Sequence, residues 1–273
     1  MTRGISMDGV SLPVTDATIS YTKEPIAEVS IFGNGNEVIY EGLYKNIQGT
    51  FSGAVRESLI ADLLEDILAD EPATHTIIVA DEPATHTIIV ADEPATHTII
   101  VADDTTSGLT ATNAYLSMLE ISARTGELAK FTAQFTAQSI SNGGAVEFAS
   151  FSSDVVPFYD VSPGFGAKAI SIKIERPYSA DDFVLSDRNR DMVRTSKYIS
   201  DMRQMKISGT ITLAQLVPFA GFTDTGAMAF HFGNILLTVS NPRFITSKEM
   251  SISGRSPVTK TLSWTCSSAS LIL

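Results

Sequence analysis

The side chains of this 273-residue chain best suited to chemistry are four histidines, one cysteine and a few clusters of aspartate and arginine. His75, His86 and His97 stand eleven residues apart in identical surroundings. Structural and catalytic zinc sites bring His together with Cys, Asp or Glu at short paired spacings. That pairing is missing around these three, so half-exposed strand histidines are expected and metal ligands are not. His231 lies between Phe230 and Phe232, which predicts a packed histidine. Cys266 is alone and excludes an intrachain disulfide; its run TLSWTCSS predicts a buried, inert thiol, because reactive thiols need an electropositive setting. The carboxylate pairs Asp103-Asp104 and Asp181-Asp182 fall in predicted loops without the shared pocket that acid–base work requires. Arg188, Arg190 and Arg194 have phosphate-binding chemistry, but Asp181, Asp182, Asp187 and Asp191 share their stretch. A subunit contact is the more economical reading. No Gly-x-Ser-x-Gly elbow and no phosphate loop ending in Gly-Lys-Ser/Thr occurs, and Gly33 and Gly35 fall in a turn between strands. The expectation is a non-enzymatic protein with no catalytic residue, no cofactor and no metal.

The elements that hold these residues are mostly strands. Apolar residues make up 44% of the chain and charged residues 18%, a globular mix. Val, Ile, Thr, Phe and Ser fill many short runs punctuated by Gly and Pro, which favours strands and turns. Strands are predicted at 17–23, 27–32, 37–44, 46–53, 113–123 and 127–139, and again at 169–175, 205–215, 234–241, 244–253 and 257–267. One helix is predicted over 54–69: Val55, Leu59, Leu63 and Ile67 recur every four residues with Ile60, Leu64 and Leu68 beside them, and Ser52 can cap it. The stretch 179–204 reads as a long polar loop, a length that tends to be functional. No apolar run approaches the ~20 residues of a membrane-spanning helix. The first residues carry no apolar signal core, and the lone cysteine suits folding in a reducing cytoplasm.

The net charge of −12 is unevenly placed. Twelve acidic residues and no Lys or Arg lie between Glu57 and Asp104, residues 1–140 sum to −14, and residues 168–273 sum to +5. Opposite-sign contacts between copies are therefore plausible, whereas wrapping of nucleic acid, which needs dense Lys/Arg, is disfavoured.

Two repeats are present. DEPATHTIIVA occurs three times unchanged, at Asp70–Ala80, Asp81–Ala91 and Asp92–Ala102. Each copy reads as a turn followed by a β-branched strand, and three in a row predict a small meander. Perfect identity marks a recent local expansion, and only one copy need belong to the core. A fainter repeat matches four ordered landmarks: Ile19-Ser20 with Glu24 against Ile170-Ser171 with Glu175; Ile47-Gln-Gly49-Thr50 against Ile207-Ser-Gly209-Thr210; Asn113 against Asn234; Lys130 against Lys260. It predicts a tandem duplication: a first domain at 1–140 carrying helix 54–69 and the triplicated 11-mer at 70–102, a linker at 141–167, and a second domain at 168–273.

The Ile-Ser-x-x-x-Glu strand, the Ile-x-Gly-Thr strand, the helix at 54–69 and the terminal pair of long polar strands in each half resemble the tail tube (major tail) proteins of tailed bacteriophages. The resemblance implies a mainly β fold with one flanking helix, built as two tail-tube-like β-sandwich or barrel domains. It implies a structural virion protein, assembled in the host cytoplasm, whose rings stack into a tube. Three two-domain chains would make a pseudo-sixfold ring, joined by other tail proteins, with genomic DNA passing through the lumen unbound. FTAQFTAQS and TKTLSWTCSS would put small polar side chains on the channel, and residues 178–204 would reach the next ring. Two alternatives stand beside it. One is a baseplate hub or distal tail component of the same fold. The other is a soluble β-sandwich carbohydrate-binding module, which a single tryptophan disfavours.

Overall fold

A computed structural model of the protein describes residues 4–23, 26–29, 37–40, 44–68, 72–78, 85–92, 97–102, 108–144, 146, 153–158, 167–176, 178–186, 192–200, 205–214, 226–245, 259–266 and 268–273. In chain order the elements are β1 (Gly4–Met7), β2 (Val10–Ser11), β3 (Asp16–Lys23), β4 (Ile26–Val29), β5 (Glu37–Tyr40), β6 (Tyr44–Ala54), α1 (Glu57–Leu68), β7 (Pro72–Ile78), β8 (Thr85–Asp92), β9 (His97–Ala102), β10 (Gly108–Arg124), β11 (Lys130–Asn142), β12 (Ala167–Glu175), β13 (Tyr178–Ser186), β14 (Met192–Ser200), β15 (Lys206–Ala214), β16 (Ala227–Phe232), β17 (Ile235–Ser240), β18 (Arg243–Ile245), β19 (Thr259–Cys266) and β20 (Ser268–Ile272). The fold is mainly β with one helix among the described residues, as the composition requires, and the sheets are open rather than closed into barrels.

Two units interleave along the sequence. Unit 1 comprises Met1–Phe51, Thr96–Tyr115 and Gln134–Ser150; unit 2 comprises Ser52–Ala95, Leu116–Ala133 and Phe151–Leu273. In unit 1 the strands lie side by side in the order β3, β6, β11, β10, and β9 is held between β1 and the first half of β10. In unit 2 the order is β12, β15, β19, β18, with the second half of β10 beside β12. Period-2 patterning sets the faces. Phe131, Ala133, Phe135 and Ala137 of β11 are buried, as are Ile170, Ile172 and Ile174 of β12 and Leu262 and Trp264 of β19.

The two strand orders carry matching details. Gly49 on β6 lies beneath the ring of Phe135 on β11, and a Cβ there would also strike the Thr18 carbonyl of β3. Gly209 on β15 lies beneath the ring of Trp264, its partner in register on β19, and a Cβ there would strike the Ser171 carbonyl of β12. An aromatic ring laid over a cross-strand glycine pins a sheet, and only glycine leaves room for it. Each unit also holds a left-handed asparagine. Asn113 is left-handed (φ 50°) where the β9–β10 register shifts, and Asn241 is left-handed (φ 49°) between β17 and β18. Asn234 closes the β16–β17 hairpin beside Gly233 (φ 68°).

Helix α1 begins at Glu57, three residues later than the apolar period suggests, and Ser52 belongs to β6 instead of capping it. The cap comes from Asp154. The Ser58 amide and hydroxyl donate to Asp154 Oδ2 at 3.4 and 2.9 Å, and the Glu57 amide donates to the Asp154 carbonyl at 3.1 Å. A carboxylate suits the positive end of the helix. Asp154 Oδ1 also accepts from Arg56 Nη1 at 3.4 Å. Val156 follows in the same segment; it is threaded between Val55 and Ala129 by hydrogen bonds of 2.9 and 3.0 Å and is buried. Leu59, Ile60, Leu63, Leu64 and Ile67 are buried along the helix. Each contributes roughly 1.5–3 kcal/mol by leaving water. At the far end the buried Arg176 donates to the Ile67 carbonyl at 3.3 Å, closing a helix terminus that has no Lys or Arg of its own. Substituting Asp154→Ala will lower the unfolding free energy by about 1–2 kcal/mol, the usual worth of an N-cap; denaturant unfolding read by far-UV dichroism checks it.

Two sequence expectations are overturned by the backbone. Within the stretch 179–204, the described residues 179–186 and 192–200 are strands rather than loop. β13 and β14 pair without a break from Tyr178↔Ser200 to Ser186↔Met192, forming a two-stranded ribbon. Phe183, Val184, Leu185, Val193, Tyr198 and Ile199 supply the strand propensity that the charge count hid, and Asp181 stands opposite Lys197. Asp181 and Asp182 are therefore strand residues rather than loop residues. The three 11-mers do not form a meander either. The first two pair as the β7–β8 hairpin, while the third supplies β9 to a different sheet. The turn at 33–36, Asp103-Asp104, Arg188 and Arg190 lie outside the described residues.

Candidate functional site

The surface with the most consistent chemistry is the solvent-side face of each sheet. In unit 1 the positions alternating with the buried ones are Gln48 and Thr50 on β6 and Gln134 and Thr136 on β11; Asp16, Thr18, Ser20 and Thr22 join them from β3, whose Ala17 and Ile19 are half-buried and whose Tyr21 is exposed. Their side chains are tied across strands: the Thr18 and Thr50 hydroxyls are 2.7 Å apart, and the Ser20 hydroxyl donates to the Gln48 carbonyl at 3.2 Å. Thr112 and Ser139 hydrogen-bond in the same unit. Burial raises the Tyr115 phenol above its ordinary pKa, partly offset by a hydrogen bond with Thr136. This stretch of face has one acid and no base.

In unit 2 the equivalent face carries Ser208, Thr210 and Thr212 on β15 and Thr261, Ser263 and Thr265 on β19, with Thr212 and Thr261 hydroxyls 3.0 Å apart. Its charges lean positive: the registers place Arg124, Lys173, Lys206 and Arg243 on this face with Glu120 and Glu175. Glu120 stands opposite Lys173 in register and accepts from the Ser171 hydroxyl at 3.3 Å, while Lys173 Nζ is 2.6 Å from Glu175 Oε1. The hydroxyls present oxygen to solvent, and Thr212 and Thr261 satisfy one another across the strands. FTAQFTAQS and TKTLSWTCSS thus alternate more cleanly than their sequences suggest.

The residues singled out for chemistry are scattered. His97 is nearly buried rather than half-exposed, and its Nδ1 is 2.7 Å from Asp8 Oδ2. Asp8 Oδ1 accepts from the Thr98 amide at 2.7 Å, and the Asp8 amide donates to the Thr98 carbonyl at 2.9 Å. Burial pushes the Asp8 carboxyl up, but the Thr98 amide and His97 outweigh it and hold it below the ordinary aspartate value. Its contribution to stability is present above the ordinary carboxylate range and fades as pH falls through the lowered pKa. His231 is exposed, not packed, because Phe230 and Phe232 take the inward positions of β16. Cys266 is half-buried; burial pushes its thiol up to about 11, partly offset by the Ser268 carbonyl, which accepts from Sγ at 3.4 Å. A thiol so raised is a poor nucleophile. Side chains of His75 and His86 lie outside the described residues. No group of three or more His, Cys, Asp or Glu able to hold a metal occurs among the described residues. No helix among them is long and apolar enough to cross a membrane.

Sequence reasoning missed Asp154 and Glu57. Glu57 Oε1 accepts from the Asn234 amide at 3.0 Å and from its Nδ2 at 2.7 Å, locking the β16–β17 turn to the first turn of α1. The only signal for Asp154 is an acid after two serines in an apolar-polar segment, which is too common to single out.

No family model and no curated protein matches the chain. Among solved structures it is similar to the cryo-EM structure of the anti-feeding prophage cap, the tube terminating cap, at 13% identity and a TM-score of 0.34, over 52% of this chain and 88% of that one. A likeness of that extent carries no functional argument.

Proposed function

We propose that the protein is a structural component of a phage-type tail that assembles into stacked rings forming the tail tube, through which DNA passes without being held. The observation that carries this reading is the hydroxyl-rich face on both units, an oxygen-rich surface suited to lining an aqueous conduit. The recurrence of one strand order, with its glycine beneath an aromatic ring, supports a duplicated unit. Among the described residues β3 ends one run of strands and β18 the other, edges on which a neighbouring copy can add a strand. Three chains would then close a ring of six units, held without enzyme activity, cofactor or metal.

The test is microscopy of the purified protein over a concentration series. Tubes with a regular axial repeat are expected. A single ring that never stacks favours a baseplate hub or distal tail component, and a monomer at every concentration overturns assembly altogether.

A further inference from the structure

The most unusual feature the assembly reading leaves unused is the triplicated 11-mer. Only its third copy is built into unit 1, as β9. There it pairs with β1 through Met7↔Ile99, Ser6↔Ile100, Ile5↔Val101 and Gly4↔Ala102, and with β10 through Ala111↔Ile99 to Gly108↔Ala102. Ile99 and Ala102 are buried, 1% and 3% exposed. The start of the strand is read by one residue: Asp8 takes the His97 ring with one carboxylate oxygen and the Thr98 amide with the other, and bonds the Thr98 carbonyl through its own amide. Asp8 can do this because it sits left-handed (φ 49°) in a tight turn with Gly9.

Every one of these interactions is made by the six residues His-Thr-Ile-Ile-Val-Ala. The same six occur at His75–Ala80 and His86–Ala91, each preceded by the same Asp-Glu-Pro-Ala-Thr. We infer that the seat between β1 and β10 is a strand-binding site for this hexapeptide, and that each of the three copies can occupy it. The register shifts by eleven or twenty-two residues with no change in any contact inside the seat.

Little opposes the exchange. Moving the seated copy transfers residues from the segment before β9 to the segment after it, and closure cost follows the logarithm of segment length. The populations of the alternatives then differ by about threefold from that cause. Seating the first copy leaves the second and third adjacent, so the β7–β8 hairpin can re-form from identical residues. The consequence is a segment after β9 that is short in one state and longer by one or two copies in the others. This proposal is independent of ring assembly.

The test pairs two changes. Ile99→Asp places a carboxylate at a buried position, which abolishes folding of unit 1 if the third copy is the sole occupant. In the full chain, folding is expected to survive with a small shift in melting temperature. Hydrogen exchange read by mass spectrometry then shows protection lost from the marked third copy and gained by the unmarked ones. In a chain with residues 70–91 deleted, one copy remains; that chain is expected to fold, and the same Ile99→Asp change in it is expected to prevent folding. Equal damage from Ile99→Asp in both backgrounds overturns the proposal. So does failure of the one-copy chain to fold, because seating the first copy requires the same short connection from α1.

Discussion

Replacing Tyr178–Ser200 with two glycines is expected to give a folded protein that no longer polymerises, with tube formation reduced at least a hundredfold at concentrations where the intact chain assembles. The excision is mild on the parent fold because Tyr178 and Ser200 face each other across the ribbon. Paired residues lie about 5 Å apart, a gap that a two-residue turn bridges. The β13–β14 ribbon hydrogen-bonds to no third strand among the described residues. A two-stranded ribbon alone is marginal in water, so docking on a second copy, as proposed above, would add to its stability. Its ten charges, five of each sign between 178 and 204, suit docking on another copy. Sedimentation velocity with far-UV dichroism separates the outcomes. Unchanged tubes would remove this ribbon from the ring-to-ring contact, and a misfolded product would show it belongs to the parent fold.

The second large effect concerns Gly209. The change Gly209→Ala is expected to lower unfolding free energy by at least about 3 kcal/mol, and Gly49→Ala by a similar amount. At each position the new methyl meets a strand carbonyl and an aromatic ring closer than 3.0 Å, and the carbonyl cannot swing aside without breaking the ladder. For a chain of this size the loss lowers the melting temperature by roughly 5–10 °C. Gly226→Ala, with nothing within 4 Å, is the matched control and should be near neutral. Trp264→Phe should cost far less than either glycine change. Trp264 Nε1 is buried without a hydrogen-bond partner, and unit 1 already places a phenylalanine over its glycine. Thermal melts of the four variants decide the matter; a stable Gly209→Ala protein would show that the ring is not seated on the backbone.

Much of this architecture was legible in the residues. Alternation in FTAQFTAQ placed β11, the four-residue period placed α1, and Ile-x-Gly-Thr marked both strands that run beneath an aromatic ring. What escaped was decided by residues far away in sequence. Ser52 looked like the cap because capping is usually local, yet Asp154 does the work from almost a hundred residues on. The 178–204 stretch read as a loop because its charges masked a β-rich apolar set. His231 read as packed because its neighbours are aromatic, although alternation alone points it outward. The identical 11-mers could not be told apart by any local rule, since what distinguishes the third is the chain that follows it.

The same distance has a kinetic side. Helix α1 is closed at one end by Asp154 and at the other by Arg176, and its first turn is locked by Asn234, separations of 96, 109 and 177 residues. A ribosome therefore releases this helix long before any of its three clamps exists. During synthesis it must wait as a fraying apolar segment, and high contact order makes its completion slow and cooperative. The step that finishes the helix is the arrival of the β16–β17 turn, so unit 2 matures only when most of the polypeptide has emerged.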